Sequence, residues 1–340
     1  MDAWAGEQVG PFVARPSRAA TDRGLASPAR TAADASVWGP LAGVLEPEVT
    51  DLFVNPDGSV WVDRGTGAEA IPGLVLAPRE ARELAVRLLA RGDRHVDEAT
   101  PCADVALDDT LRVHAVLPPI SGGGAVLSIR QARPERWSLA QLAERGVVDP
   151  AGLERLRELV ARRANLLVTG AAGTGKTTLL AALLAEAPAT ERLVVLEDVA
   201  ELRVAHPHVV ALSARQPNLE GRGAVGLDRL VREALRMRPD RLIVGECRGA
   251  ELRELLTALN TGHDGGAGTL HANSLADVPA RLEALGAVAG LGPTALARQA
   301  VSAFDAVIHV ARGGVDVPRR VESFGRLRLG ARDRLAVEEW

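Results

Sequence analysis

The chain has no tyrosine, four phenylalanines and five tryptophans in 340 residues, so its cores must be built from leucine, valine and alanine. That shortage removes the aromatic platforms on which single-stranded nucleic acid stacks. A net charge of −4 likewise gives no electrostatic footprint for nucleic acid, and no specific nucleic-acid binding is expected. Two cysteines, Cys102 and Cys247, are too few for a disulfide framework or a four-cysteine zinc site, and read as buried thiols of a reducing compartment. No apolar run approaches the ~20 residues of a membrane-spanning helix, and the N-terminus lacks the apolar stretch of a signal peptide. The expectation is a cytoplasmic protein with no direct membrane insertion. The sharpest shortage is lysine: lysine and arginine together number 40, and one of them, Lys176, is lysine.

That lysine sits in Gly170-Ala171-Ala172-Gly173-Thr174-Gly175-Lys176-Thr177, which fits G-x-x-x-x-G-K-[ST] between a strand-like Leu166-Leu167-Val168 and a helix-like run from Thr178 to Leu184. Glycines let successive backbone N–H groups turn toward phosphate oxygens, the helix N-terminus adds partial positive charge, and the Thr177 hydroxyl suits Mg²⁺. A compact ammonium fits between phosphates where a planar guanidinium does not. A chain that uses arginine everywhere else and lysine here therefore points to nucleotide binding, with Thr178 opening the helix beside it.

The length suggests two domains. Residues 1–36 mix Ala, Arg, Pro, Ser and Gly without period and read as a flexible leader. Residues 37–132 read as an α+β domain. It contains a hairpin about the turn Asn55-Pro56-Asp57-Gly58, a helix from Pro78 to Leu89, and alternating strands at Leu111–Val116 and Ala125–Arg130. Each of the last two strands carries an arginine, Arg112 or Arg130, among apolar neighbours, and an arginine so placed calls for an anionic partner. Residues 133–150 read as a linker with one short helix. Residues 151–340 then run helix, strand, loop, helix, the pattern of a mostly parallel sheet with crossover helices, making the second domain α/β.

Two strands of that second domain end in carboxylates. Arg192–Leu196 leads into Glu197-Asp198 and Glu201; Asp240–Val244 leads into Gly245-Glu246, the form of a Walker B strand. Carboxylates just past parallel strands sit where ligands bind, and they suit an Mg²⁺ shell or an attacking water. The Gly-rich stretch Thr261–His271 carries His263 and His271, read as a polar loop that senses phosphate.

Four stretches together, GAAGTGKTT, LEDVAEL, RPDRLIVGECRG and NTGHDGGAGTLHANS, resemble the type II/type IV secretion ATPase family, in its tight-adherence (Flp pilus) and conjugal-transfer-associated branch. The likeness extends upstream through ARQPNLEG, LRVHAVLPPISGG and LSIRQ. The resemblance implies a RecA-like core behind a smaller domain, a homohexameric ring, ATP and Mg²⁺ as cofactors, and polytopic inner-membrane platform proteins as partners. It places the ring at the inner face of the cytoplasmic membrane through those partners. By position it implies Lys176 and Thr177 on phosphate and metal, Glu197 in an acidic box, Glu246 as the Walker B carboxylate, and His263 and His271 as a histidine box. Arg112 and Arg130 match first-domain arginines, and Arg130 is ranked above Arg112 as the one that reaches nucleotide. The alternative is a nucleic-acid translocase or helicase on the same core, against which the acidic charge and missing aromatics count.

Overall fold

A computed structural model describes residues 36–92, 94–107, 110–131, 136–215, 217, 222–312 and 319–340. The expected leader, residues 1–36, lies outside the described residues but for its last. The chain divides into two compact units, Met1–Leu45 and Glu46–Trp340. In the first, Pro40 opens a single 3₁₀ turn, Gly39–Leu41, closed by the Ala42 N–H on the Gly39 carbonyl.

The second unit begins with the expected hairpin, β1 (Asp51–Val54) and β2 (Ser59–Asp63). Its turn works through local chemistry: Gly58 takes φ 83°, its N–H bonds to the Asn55 carbonyl at 2.9 Å, and Asp57 Oδ1 accepts the Ser59 N–H. β3 (Ala68–Val75) follows, then helix α1 (Pro78–Arg91), which starts with proline in its first turn and Glu80 accepting the Ala77 N–H. Strands β4 (Cys102–Ala106), β5 (Leu111–Val116) and β6 (Val126–Gln131) complete an antiparallel sheet of order β3-β2-β1-β6-β5-β4. Alternation sets its two faces. Leu52, Val54, Val113, Ala115, Leu127 and Ile129 are buried, as are the α1 residues Ala81, Leu84, Leu88 and Leu89. The other face carries Trp61, Phe53, Ser128, His114, Arg130 and Arg112. Cys102 is exposed rather than buried, because it stands at the start of edge strand β4.

Helices α2 (Leu139–Glu144) and α3 (Pro150–Ala161) lead into a second sheet. Both start on side-chain caps: Ser138 accepts from Gln141 N–H and Asp149 from Gly152 N–H. The sheet comprises β7 (Leu166–Gly170), β8 (Leu193–Glu197), β9 (Val209–Ser213), β10 (Arg241–Val244), β11 (Ala267–His271), β12 (Ala306–Ala311), β13 (Arg320–Leu329) and β14 (Leu335–Glu339). Its order is β14-β13-β12-β7-β11-β10-β8-β9, parallel from β12 to β9 and antiparallel at β13 and β14. Consecutive strands β7 and β8 are thus separated by β11 and β10.

Two apolar clusters pack on this sheet. One includes α2, α3 and α4 (Lys176–Ala185); the other includes α5 (Leu227–Ala234), α6 (Glu251–Leu259), α7 (Val278–Val288) and α8 (Pro293–Ala303). Residues 261–271, read from sequence as one loop, are in fact a loop followed by the buried central strand β11. Small residues let that strand lie between its neighbours: a Cβ on Gly268 would come 3.3 Å from Cys247 Sγ. No helix among the described residues is long and apolar enough to cross a membrane.

Candidate functional site

At the C-terminal ends of the parallel strands, β7 turns into α4 through Gly170–Gly175. Gly175 holds φ 95° as the residue before the helix, a backbone state that side chains resist. The turn carries Lys176 into the fold, where it is 6% exposed. Its Nζ donates to the Gly170 and Ala171 carbonyls at 3.0 and 2.9 Å and lies 3.3 Å from His271 Nδ1. Burial lowers its pKa, offset in part by the Glu246 charge. Thr174 is buried, its hydroxyl bonded to the Ala171 carbonyl, while Ala172, Gly173 and Thr178 are exposed.

A chain of hydrogen bonds leaves this lysine. An ammonium has only protons to offer, so His271 Nδ1 must accept, and the ring proton belongs on Nε2. Nε2 lies 2.9 Å from Glu246 Oε1, and Glu246 Oε2 takes the Arg248 guanidinium at 2.6 Å. The titration tendencies agree. Burial and the Lys176 charge push His271 below the usual imidazole range, which keeps it neutral. Burial pushes Glu246 up, but the Arg248 hydrogen bond and the surrounding positive groups outweigh it, leaving the carboxyl below its ordinary range.

Beside this chain lies a pocket lined by Arg112, Thr177, Glu197, Asp198, Val199, Glu201, Gly245, Glu246 and Arg248. Glu197 approaches Gly245 so closely that a Cβ there would meet its Cγ at 2.5 Å, which is why a glycine precedes Glu246. Glu197 Oε1 accepts the N–H groups of Glu201 and Leu202, so this carboxyl shapes the acidic loop as well as facing the pocket. Burial pushes its pKa up to about 7 against those two hydrogen bonds. Arg112 reaches the same pocket from the first sheet, donating to Glu201 at 2.9 Å with Asp104 at 3.6 Å.

Two expected site residues are placed elsewhere. Arg130 is the cross-strand partner of Arg112, yet its side chain is 63% exposed and pairs with Asp51 at 3.4 Å. Within this chain Arg130 is not among the residues that line the pocket, whereas Arg112 is. His263 bonds to the Ala258 carbonyl before β11, whereas His271 ends that strand. Five extended residues at ~3.3 Å each separate the strand's two ends, so the two histidines do not meet. Conversely, Arg248 was missed. Its signal was its spacing: two residues past Glu246, just beyond a strand end, where both side chains can meet.

Among the described residues no group of three or more His, Cys, Asp or Glu is placed to hold a metal alone. Thr177, Glu197 and Glu246 do share one pocket, a sparse oxygen set of the kind that serves Mg²⁺ when phosphates supply the remaining ligands.

The pH behaviour of Glu197 follows from its burial. In protein free of nucleotide and Mg²⁺, the folded carboxyl keeps its proton up to about pH 7, whereas an unfolded one releases it near 4.5. The folded state therefore binds more protons across that window, and stability falls as pH rises through it, by on the order of 3 kcal/mol. Glu197→Gln should flatten this slope. Melting temperatures of both proteins at about pH 5 and about pH 7.5 check it, and equal slopes would refute it.

Comparison with known proteins fits this geometry. A family model described as Type II/IV secretion system protein matches residues 39–313. A putative conjugal transfer protein of Mycobacterium tuberculosis strain H37Rv is 46% identical over 310 residues, covering 88% of each chain. The conjugal transfer protein TrbB of Rhizobium radiobacter is 33% identical over 273 residues, covering 78% of this chain and 80% of its own. Among solved structures, the pilus retraction motor PilT with bound ADP superposes with a TM-score of 0.57 at 17% identity, covering 88% of this chain and 80% of that one. The Legionella pneumophila ATPase DotB gives 0.56 at 19% identity, over 88% and 78%. Both show a shared fold.

Proposed function

Because the chain belongs to the type II/IV secretion system protein family, we propose that it is an ATP-hydrolysing motor. It works as a homohexameric ring at the inner face of the cytoplasmic membrane, driving conjugal transfer, secretion or pilus assembly through polytopic membrane-platform proteins. The observation that carries the reading is the continuous chain Lys176, His271, Glu246, Arg248 beside Thr177 at the C-terminal edge of the parallel sheet.

Each group has a role that its place supports. The backbone N–H groups of residues 170–178 and the α4 N-terminus cradle the phosphates, and Lys176 exchanges its carbonyl partners for phosphate oxygens. Thr177, with Glu246 or Glu197, would hold Mg²⁺, which supplies charge neutralisation of the β- and γ-oxygens. Glu246 orients or deprotonates the attacking water, and His271 links that carboxylate to Lys176. Arg112 exchanges Glu201 and Asp104 for the γ-phosphate, drawing the first sheet onto the core. Arg130, on the same sheet face as Arg112 but outside the pocket's lining, suits a neighbouring subunit's nucleotide.

Purified protein should release phosphate from ATP only with Mg²⁺ and sediment as a hexamer when nucleotide is added. Absence of Mg²⁺-dependent phosphate release under conditions where nucleotide binds would overturn the motor reading. Arg112→Ala should fold normally and lose turnover by a factor on the order of 10³, the scale of an arginine acting on a transferring phosphoryl group. Arg130→Ala separates the two placements. If it is inactive alone, mixing it with inactive Lys176→Ala protein should partly restore turnover, because some boundaries regain both groups. Failure to rescue excludes action across subunits, and wild-type turnover by Arg130→Ala alone returns this residue to a solvated ion pair with Asp51.

A further inference from the structure

His309 is 1% exposed on β12, in the innermost part of the second sheet, and the mechanism above makes no use of it. Its Nδ1 lies 2.9 Å from the hydroxyl of Thr169, its register partner on β7 and itself fully buried. Glu322 approaches Nε2 only to 4.0 Å, too far for a hydrogen bond. One hydrogen bond thus joins the ring to Thr169 in either tautomer, the same hydroxyl lying 3.5 Å from the Ile308 carbonyl.

This ring therefore bears on the root of the loop that starts at Gly170. Thr169 is the last residue before Gly170, whose carbonyl receives both Lys176 Nζ and the Ala272 N–H. The chain next to His309 also meets that glycine: a Cβ on Gly170 would come 2.3 Å from the Val310 carbonyl oxygen. An imidazole bonded to Thr169 bears on where Gly170 lies, and the Gly170 carbonyl in turn holds both Lys176 and the chain just after His271.

We infer that His309 is a positioning residue which, through Thr169 and the Gly170 carbonyl, sets the distance from His271 to Lys176 and so the alignment of the Lys176–His271–Glu246 chain. The inference rests on the ATPase reading, and concerns kcat rather than nucleotide affinity. A buried histidine that merely satisfies its hydrogen bonds would affect stability alone.

Thr169→Val removes the hydroxyl while keeping shape and strand preference. It should lower kcat about tenfold with KM for ATP changed by less than about twofold, since small misplacements near the chemistry act on the transition state. Thr169→Ser should restore kcat to within about twofold of wild type. In a His271→Ala background, Thr169→Val should add less than about twofold, because residues acting through one another are not additive. A readout independent of turnover is the ¹⁵N-histidine spectrum: the His271 ring signals, assigned by their loss in His271→Ala, should move in Thr169→Val.

Full kcat in Thr169→Val, a rise in KM alone, or unchanged His271 signals would each overturn the inference, as would fully multiplicative loss in the His271→Ala background. If wild-type protein released no phosphate, the ATPase reading would fail by itself. Unmoved His271 signals would then sink the positioning role too, and shifted ones would uphold it as a structural coupling.

Discussion

Lys176→Arg will stop ATP hydrolysis although the charge is kept. The Lys176 ammonium sits 6% exposed among two carbonyls and one imidazole nitrogen, all within 3.3 Å of a single atom. A guanidinium spreads its donors over a planar fork and cannot place them at one point, so it must push the loop open or withdraw. It also stays charged where burial already disfavours charge. Turnover should fall by a factor on the order of 100 or more, with a melting temperature close to wild type. Retention of more than about a tenth of wild-type phosphate release, a barrier change under roughly 1.4 kcal/mol, would refute the phosphate-binding role of this residue.

Glu246→Gln should leave ATP binding intact and slow hydrolysis about 100-fold or more, the usual contribution of a general base or water-positioning group. The amide is isosteric, but it can satisfy one neighbour only: its oxygen can accept from His271 Nε2, and its N–H₂ then faces the Arg248 donors. Arg248 is expected to leave toward Asp198 and Glu201, which already favour its charge. Nucleotide affinity and single-turnover rate, measured together, separate binding from chemistry. Glu197→Gln is the comparison. Glu197 caps the acidic loop and carries a proton about half the time near pH 7, a poor state for a base. A larger turnover loss in Glu197→Gln, with binding preserved, would reverse the ranking of the two carboxylates.

What the sequence made legible was local. The hairpin at 51–63 could be read because Asn55-Pro56-Asp57-Gly58 is turn chemistry in itself, and α1 because its apolar face repeats at helical spacing. The strand, loop and helix around Lys176 carried their own motif. Other parts depended on partners that no window contains. β3 and β9 are edge strands whose exposed or half-buried residues show little apolar alternation, and β11 is buried on both faces, where alternation vanishes. Its one glycine, just after Gly265 and Gly266, looks like part of a loop until Cys247 and Leu255 are seen packed beside Gly268. His263 and His271 were legible as a pair along the chain but not as one residue ahead of β11 and one at its far end, because β11 itself was not legible as a strand. Arg112 and Arg130 were indistinguishable by pattern; the acidic loop carrying Glu201, 89 residues downstream, distinguishes them.

The solitary lysine also makes the chain chemically singular. Apart from its terminal amine, this sequence offers an amine-directed reagent one side chain, and that side chain lies at the root of the Gly170–Gly175 turn. Burial lowers its pKa and so raises the share of free amine able to react. A bound anion on Nζ would restore the proton and occlude the nitrogen together. Protection of this amine by nucleotide, with the terminal amine as internal reference, would thus follow loop occupancy without engineering any residue, and a ring with unequal subunits would reveal itself as fractional protection.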